Sequence, residues 1–286
     1  MTRRADYRLA HRLRVRWAEV DMQRIVFNGH YLMYFDTAVA EYWRALALPY
    51  HETMESLSGD LYVRKATVEY HASAHYDEQL EVCVRCQRIG SSSILFGCAV
   101  FHGERLLITG ELVYVFADPK TQTSQPVPQV LRDILEGYEA GRSMVEVRTG
   151  GWDELGEQAQ PIRAEVFINE QQIPAEMEWD EADKIAIHAV ACNRLGKPLA
   201  TGRLLEHVPG TAKIGRMAVR ADMRGSAVGR AVLDALMARA RARGDREVLL
   251  HAQASAVGFY RKAGFTPRGP EFEEAGIRHV EMVCAL

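Results

Sequence analysis

Apolar side chains recur three and four positions apart at Tyr31, Tyr34, Phe35, Ala38 and Tyr42, which predicts one long helix over residues 28–46 with a single buried face. A strand-like run at 7–17 precedes it. Four apolar-rich runs come after it, at 61–72, 79–89, 93–102 and 105–117, divided by turn signals at Tyr76-Asp77, Gly90-Ser91-Ser92 and Gly103-Glu104. A helix this apolar has to be covered, and the next segment of chain is an antiparallel meander, so the order predicts a sheet wrapped around that helix. Residues 127–140 then read as an amphipathic helix with Val130, Ile134, Leu135 and Tyr138 on one face, closed by Gly141-Arg142-Ser143.

The character of the chain changes near residue 142. Beyond it, strands are expected at 144–148, 185–193, 199–206, 211–219, 248–252 and 279–284, with helices at 153–167 and 230–243 and a short one ending at Gly264. Leu195-Gly196-Lys197-Pro198 is a hairpin turn. No internal repeat is visible. A length of 286 residues with 48% apolar content suits two cores. The expected fold class is α/β (α+β), with domains at 1–141 and 142–286 joined by a short linker.

A formal net charge of −3 gives no electrostatic case for a nucleic-acid partner. No apolar run nears the ~20 residues of a membrane span. The start, Met1-Thr2-Arg3-Arg4-Ala5-Asp6, lacks the apolar stretch of a signal peptide, so a cytoplasmic location is expected. Five cysteines, an odd number, suit a reducing compartment better than a disulfide framework. Cys83 and Cys86 form a C-x-x-C, yet they stand in an alternating run where an odd offset sends them to opposite strand faces. With no second pair nearby, no metal is expected.

The chemistry concentrates at Arg224-Gly225-Ser226-Ala227-Val228-Gly229, which comes directly after the apolar run 214–219 and opens the helix that continues from Arg230. The first amides of a helix have no partner within it and carry partial positive charge, so a strand, a small-residue turn and a helix start make a cradle for phosphate. With the downstream Gly258-Phe259-Tyr260-Arg261-Lys262-Ala263-Gly264-Phe265, this segment resembles the GNAT acyltransferase family. The resemblance implies that Arg224, Gly225, Ser226, Ala227, Val228, Gly229 and Arg230 hold the pyrophosphate of coenzyme A, with Ala227 standing where the family's first turn glycine would be. It also implies that Met217, Ala218 and Val219 pair with the pantetheine arm and polarise the thioester carbonyl. Tyr260 then becomes the acid for the departing thiolate. For the base, Glu170, Glu206 and His279 stay open, with Glu170 placed in the catalytic set. Residues 163–171, followed by Asp180-x-x-Asp183, resemble a small bacterial subgroup of that family, and the resemblance implies that the amine groove lies in variable loops at 171–181 and 268–278.

The segment Asp21-Met22-Gln23-Arg24-Ile25-Val26-Phe27-Asn28-Gly29-His30-Tyr31, after Val15-Arg16-Trp17, resembles the hot-dog acyl-CoA thioesterases of the 4-hydroxybenzoyl-CoA thioesterase type over residues 8 to about 140. By that resemblance Asp21 is the catalytic carboxylate, either activating water or attacking the thioester. Asn28, His30 and Tyr31 form the substrate and oxyanion side, and Arg24 occupies the usual place of a glycine. The resemblance further implies a homodimer or homotetramer with the acyl group at a subunit interface. Together these readings predict a bifunctional protein that hydrolyses an acyl-CoA and transfers an acetyl or other acyl group from coenzyme A to an amine. The alternatives are a chain with one catalytic half and one dimerisation or CoA-sensing half, or a non-catalytic acyl-CoA-binding regulator.

Overall fold

The computed structural model describes residues 2–286; Met1, the first residue of the basic start, lies outside them. Two compact units result, the first ending at Met144 and the second beginning at Val145.

The first unit runs β1 (Leu9–Arg14), α1 (His30–Ala45), α2 (Tyr50–Ser56), β2 (Asp60–Tyr70), β3 (Gln79–Ile89), β4 (Ser93–His102), β5 (Arg105–Ala117) and α3 (Gln129–Glu139). Its strands form an antiparallel sheet in the order β1-β3-β4-β5-β2. Helix α1 buries Tyr31, Tyr34, Phe35, Ala38, Val39, Tyr42 and Trp43 against that sheet, as the spacing predicted. Gly110 on β5 is what lets it lie so close, since a Cβ there would fall 2.4 Å from the Phe35 ring. The far end of α1 is tied by Glu139, which accepts the Tyr42 hydroxyl at 2.5 Å and the Cys86 amide at 2.8 Å. Cys83 packs instead with Tyr7, Ala99 and Phe101, so the two cysteines do face opposite sides of β3. All five cysteines are free thiols. In α3 the buried stripe is Leu131, Ile134, Leu135 and Tyr138; Val130, expected on it, is 38% exposed because it lies one residue, or about 100°, off that face. Helix α2 was not foreseen. Strand β2 closes one end of the sheet and carries exposed Tyr62, Val63 and Tyr70.

The second unit runs β6 (Val145–Gly150), α4 (Trp152–Arg163), a wider π-helical turn (Ala164–Glu170), α5 (Ala175–Glu178), β7 (Ile187–Asn193), β8 (Pro198–Val208), β9 (Thr211–Val219), α6 (Val228–Arg243), β10 (Glu247–Gln253), α7 (Val257–Lys262), β11 (Thr266–Glu274) and β12 (Ile277–Ala285). The sheet order is β11-β12-β10-β9-β8-β7-β6. Residues 268–278, expected as loop, are largely β11 and its turn into β12; Pro267, Gly269 and Pro270 mask the strand pattern.

Two irregularities in this sheet shape its centre. Strands β9 and β10 pair in parallel only from Thr211 and Glu247 to Ile214 and Leu250. Strand β10 stays on β12 as far as Gln253, so β9 departs and a wedge opens. On the other side of β9, a register shift leaves Arg216 and Met217 opposite Gly202 alone, with Arg216 at φ 51°.

Beneath the wedge lies a buried charge network. Arg163, 1% exposed, reaches Glu178 through Nε, Asp183 at 2.8 Å and the Glu178 carbonyl at 2.8 Å, while Trp152 and Trp179 cover its guanidinium. Arg203 bridges Asp183 and Asp180. For Asp183, burial alone would raise the carboxyl, but Arg163 and Arg203 outweigh it; for Asp180 the Arg203 hydrogen bonds dominate, and both groups are held below the usual range. Glu178 is pushed the other way by burial. Depressed folded values mean that the two aspartates contribute stability in full above the unfolded carboxylate value of about 4 and lose it as pH falls further. Tryptophan fluorescence of the intact chain is accordingly expected to report a thermal midpoint that drops once pH falls below about 4. Asp183→Asn should be destabilised already at neutral pH.

Candidate active sites

In the first unit the loop from β1 to α1 folds on itself. The Asp21 amide donates to the Ile25 carbonyl at 2.9 Å, and the Arg24 amide returns to the Asp21 carbonyl at 2.9 Å. This turn needs a left-handed residue and takes it from Arg24, at φ 64°, the position where the resembled family carries glycine. One Asp21 oxygen, Oδ1, accepts the Gln23 amide at 2.8 Å, leaving Oδ2 for other work on a half-exposed carboxylate. Helix α1 then begins after Gly29 with no side-chain cap, and the His30 amide is spent on the Phe27 carbonyl at 2.9 Å. Asn28 is exposed and its carbonyl accepts the Tyr70 hydroxyl at 3.2 Å. His30 stands edge-on to Phe27, with Nδ1 buried and unpartnered. Tyr31 is 2% exposed and its hydroxyl accepts the Ala74 amide at 3.2 Å, so it anchors the loop from the core.

Sequence reasoning missed Glu19. It is 3% exposed and accepts the Arg16 amide and side chain at 2.7 Å and the Tyr34 hydroxyl at 2.8 Å. Burial would raise its carboxyl; these donors outweigh burial and hold it low. The spacing Arg16-x-x-Glu19 was the available signal. Glu19 fixes the loop that presents Asp21.

In the second unit the turn before α6 places Gly225 at φ 82° and Ala227 at φ 64°. No side chain caps α6, so its first amides are left for a ligand. Gly229 sets the distance to the sheet, because a Cβ there would meet Val219 at 2.9 Å. Ala227→Gly should therefore raise stability by about 0.5–1 kcal/mol, a left-handed penalty of about 1–2 kcal/mol less the flexibility cost of glycine. Gly229→Ala should lower it by about 1–3 kcal/mol through overpacking, and should weaken coenzyme A binding as well. Thermal melts with and without coenzyme A check both.

Arg224 and Ser226 frame this turn. Arg224 makes a two-pronged ion pair with Glu170, at 2.7 and 2.5 Å, and reaches the Val219 carbonyl at 3.2 Å. The Arg224 hydrogen bonds hold the Glu170 carboxyl low, which makes it a poor proton acceptor and a good support for Arg224. Ser226 is turned inward to the Met223 carbonyl. Arg230 pairs with Asp234 at 2.8 Å and with the Lys262 carbonyl at 3.2 Å, joining α6 to α7.

The wedge opens into a cavity of about 390 Å³, whose walls include Met217 on β9, His251 and Gln253 on β10, and Tyr260 on α7. Tyr260 is 7% exposed, packs between Phe259 and Phe265, and makes no hydroxyl hydrogen bond among the described residues. Burial pushes its phenol up to about 12, so it keeps its proton throughout the neutral range. Ala218 is buried against Ile162, Val166 and Phe167, and Val219 faces Gly229. Glu206 is exposed and is not among the cavity-lining residues; His279 is, with Nδ1 at 2.8 Å from the Ile277 carbonyl. An uncapped helix start, a backbone wedge and a retained phenolic proton together can bind a phosphate-bearing thioester and protonate a sulfur. No group of three or more His, Cys, Asp or Glu side chains among the described residues is placed to hold a metal. No described helix is long and apolar enough to cross a membrane.

Comparison with known proteins divides at the same place. Residues 153–286 match the family model described as an acetyltransferase (GNAT) domain, and residues 15–135 match that of the thioesterase-like superfamily. Over 123 residues the chain is 37% identical to the uncharacterized N-acetyltransferase YjcF of Bacillus subtilis, covering 43% of this chain and 86% of that protein. Over 121 residues it is 26% identical to the acyl-CoA thioester hydrolase YbgC of Escherichia coli O157:H7, covering 41% of this chain and 87% of that one. The crystal structure of Escherichia coli ElaA covers 49% of this chain and 99% of its own, at 27% identity and a TM-score of 0.45.

Proposed function

Because this chain belongs to the GNAT acetyltransferase family through its C-terminal half and carries a thioesterase-like domain in its N-terminal half, we propose that it acts on acyl-CoA at two separate sites. The C-terminal site transfers an acyl group from coenzyme A to an amine; the N-terminal site hydrolyses an acyl-CoA. The observation that carries this reading is the wedge between β9 and β10, whose cavity is lined by Tyr260 with no hydroxyl hydrogen bond among the described residues.

In the transfer reaction the turn amides and Arg224 take the pyrophosphate, and the unpaired edge of β9 at Met217, Ala218 and Val219 pairs with the pantetheine arm. Attack by the amine expels a thiolate, which Tyr260 protonates. Glu170 contributes by holding Arg224 in place. In the hydrolytic reaction Asp21 delivers the oxygen nucleophile, by activating water or by direct attack, while the start of α1 receives the developing negative charge. Asn28 and His30 line that approach, and Tyr31 holds it from below. Strand β2 pairs only with β5 among the described residues and exposes an 11-residue edge, which suits a second chain joined edge to edge.

A second reading has a specific observation behind it. Arg24 takes a left-handed conformation that glycine adopts without strain, which suits a front half kept as a scaffold or CoA sensor while the back half reacts. Thiol release from short, long and aromatic acyl-CoAs, with and without amines, tests both. Amine-dependent release alone favours the scaffold; release under both conditions supports two reactions; release under neither removes both.

A further inference from the structure

The cavity in the second unit contains a histidine and carboxylate pair with no part in phosphate binding or thiolate protonation. His251 is the first residue of β10 beyond its last pairing with β9, at Leu250 and Ile214, so it stands where the wedge begins. The thioester carbonyl would lie in that wedge under the transfer reading. Nδ1 of His251 is 3.2 Å from Glu274 Oε2, and the ring edge meets Phe272 at 4.9 Å. A carboxylate can only accept, so in the neutral ring the proton sits on Nδ1 and Nε2 carries the lone pair.

We propose that His251 is the general base that takes the proton of the acceptor amine, with Glu274 as its positioning residue; this rests on the acyl-transfer reading of the site. The amine nitrogen forms the new C–N bond and its proton passes to His251 Nε2. The C–S bond breaks, and the sulfur takes the Tyr260 proton. Imidazolium then returns a proton through solvent to the Tyr260 oxygen, so the cycle closes without a further reagent.

The charged surroundings suit a group that gains a proton transiently. Glu281 lies 4.0 Å from His251 Nε2 and, with Glu274, stabilises the imidazolium as it forms. Arg268, bound to Glu281 at 2.6 Å and Glu247 at 3.0 Å, offsets part of that negative field. Other titratable groups in the cavity wall are engaged elsewhere. Glu178 is locked by Arg163 and Arg216, and Asp180 by Arg203 and Arg216. His279, stacked against Phe272, has its Nδ1 engaged by the Ile277 carbonyl and, among the described residues, no carboxylate beside it to position the ring. Lys213 also lines the cavity, and an ammonium offers donors only.

The experiment uses the full-length chain, acetyl-CoA and a panel of primary amines comprising a polyamine, amino acids, an aminoglycoside and a peptide N-terminus. His251→Gln, Glu274→Gln and His279→Gln are compared for kcat, KM and pH dependence. His251→Gln is expected to lower kcat by about 100-fold near pH 7 with KM for acetyl-CoA unchanged, the loss shrinking as pH approaches the pKa of the amine itself. Glu274→Gln should keep more activity than His251→Gln and move the acidic limb of the profile to lower pH. A His251→Gln rate within about threefold of the unaltered chain across the profile overturns the base assignment and leaves acyl transfer standing. So does a large loss in His279→Gln with His251→Gln spared. Acylation of no amine by the unaltered chain overturns the assignment together with the transfer reading.

Discussion

Asp21→Ala is expected to lower amine-independent thiol release from the preferred acyl-CoA by about 10³–10⁴, the range of a general base or nucleophile removed from its site. Transfer to an amine at the other site should change little, because Asp21 belongs to the first unit and that chemistry to the second. Alanine also removes the oxygen that accepts the Gln23 amide, so a loss of turn geometry has to be separated from a loss of chemistry. Asp21→Asn does this: its carbonyl oxygen still accepts that amide, while its nitrogen can neither attack nor take a proton. Equal losses in the two variants, with unchanged thermal midpoints, would assign the effect to the carboxylate. Undiminished release in both would remove Asp21 from the mechanism and leave the first unit as the scaffold of the second reading.

Tyr260→Phe is expected to lower kcat for amine acylation by about 10²–10³ while leaving KM for acetyl-CoA nearly constant. The substitution deletes one oxygen from a ring that stays packed between Phe259 and Phe265, so the fold has little reason to respond. Because burial holds the phenol up to about 12, the proton is present at every ordinary assay pH. The sign is direct: a donor is lost only as pH rises through its own value, so the unaltered chain should show no alkaline fall attributable to Tyr260 below about pH 11. A phenylalanine variant as fast as the parent would return the proton donation to solvent.

Strands with strong local signals at both ends were legible to the residue: β3, β4, β5 and β9 run as the apolar pattern said. Their ends are set by turns whose chemistry is local, Gly90-Ser91-Ser92 and Gly103-Glu104 among them. What failed was either off-phase or masked. Val130 sits one position away from the true stripe of α3, and the Pro and Gly residues of β11 hide a strand whose pairing with β12 comes from tertiary structure. The same difference governs the sites. The turn from Arg224 to Gly229 and the Phe259-Tyr260 pair are contiguous, so sequence can read them. His251 and Glu274 meet only because β10 and β11 both lie beside β12, and Glu170 meets Arg224 across 54 positions. Asp180 and Asp183 stood out as a motif, but their partners Arg163 and Arg203 come from other elements.

The placement of the cysteines has a consequence for a protein that handles activated acyl groups. A thiolate exchanges readily with a thioester, and an exposed cysteine in contact with acyl-CoA would become acylated itself. Burial pushes Cys83 and Cys86 up to about 12, and Cys98 and Cys192 also upward. At pH near 7.5 a thiol at that value is ionised in roughly three molecules per 100,000, against roughly one in ten for a free cysteine. The sheet that encloses α1 thus shields Cys83, Cys86 and Cys98 from acylation, a chemical inertness that comes from packing alone.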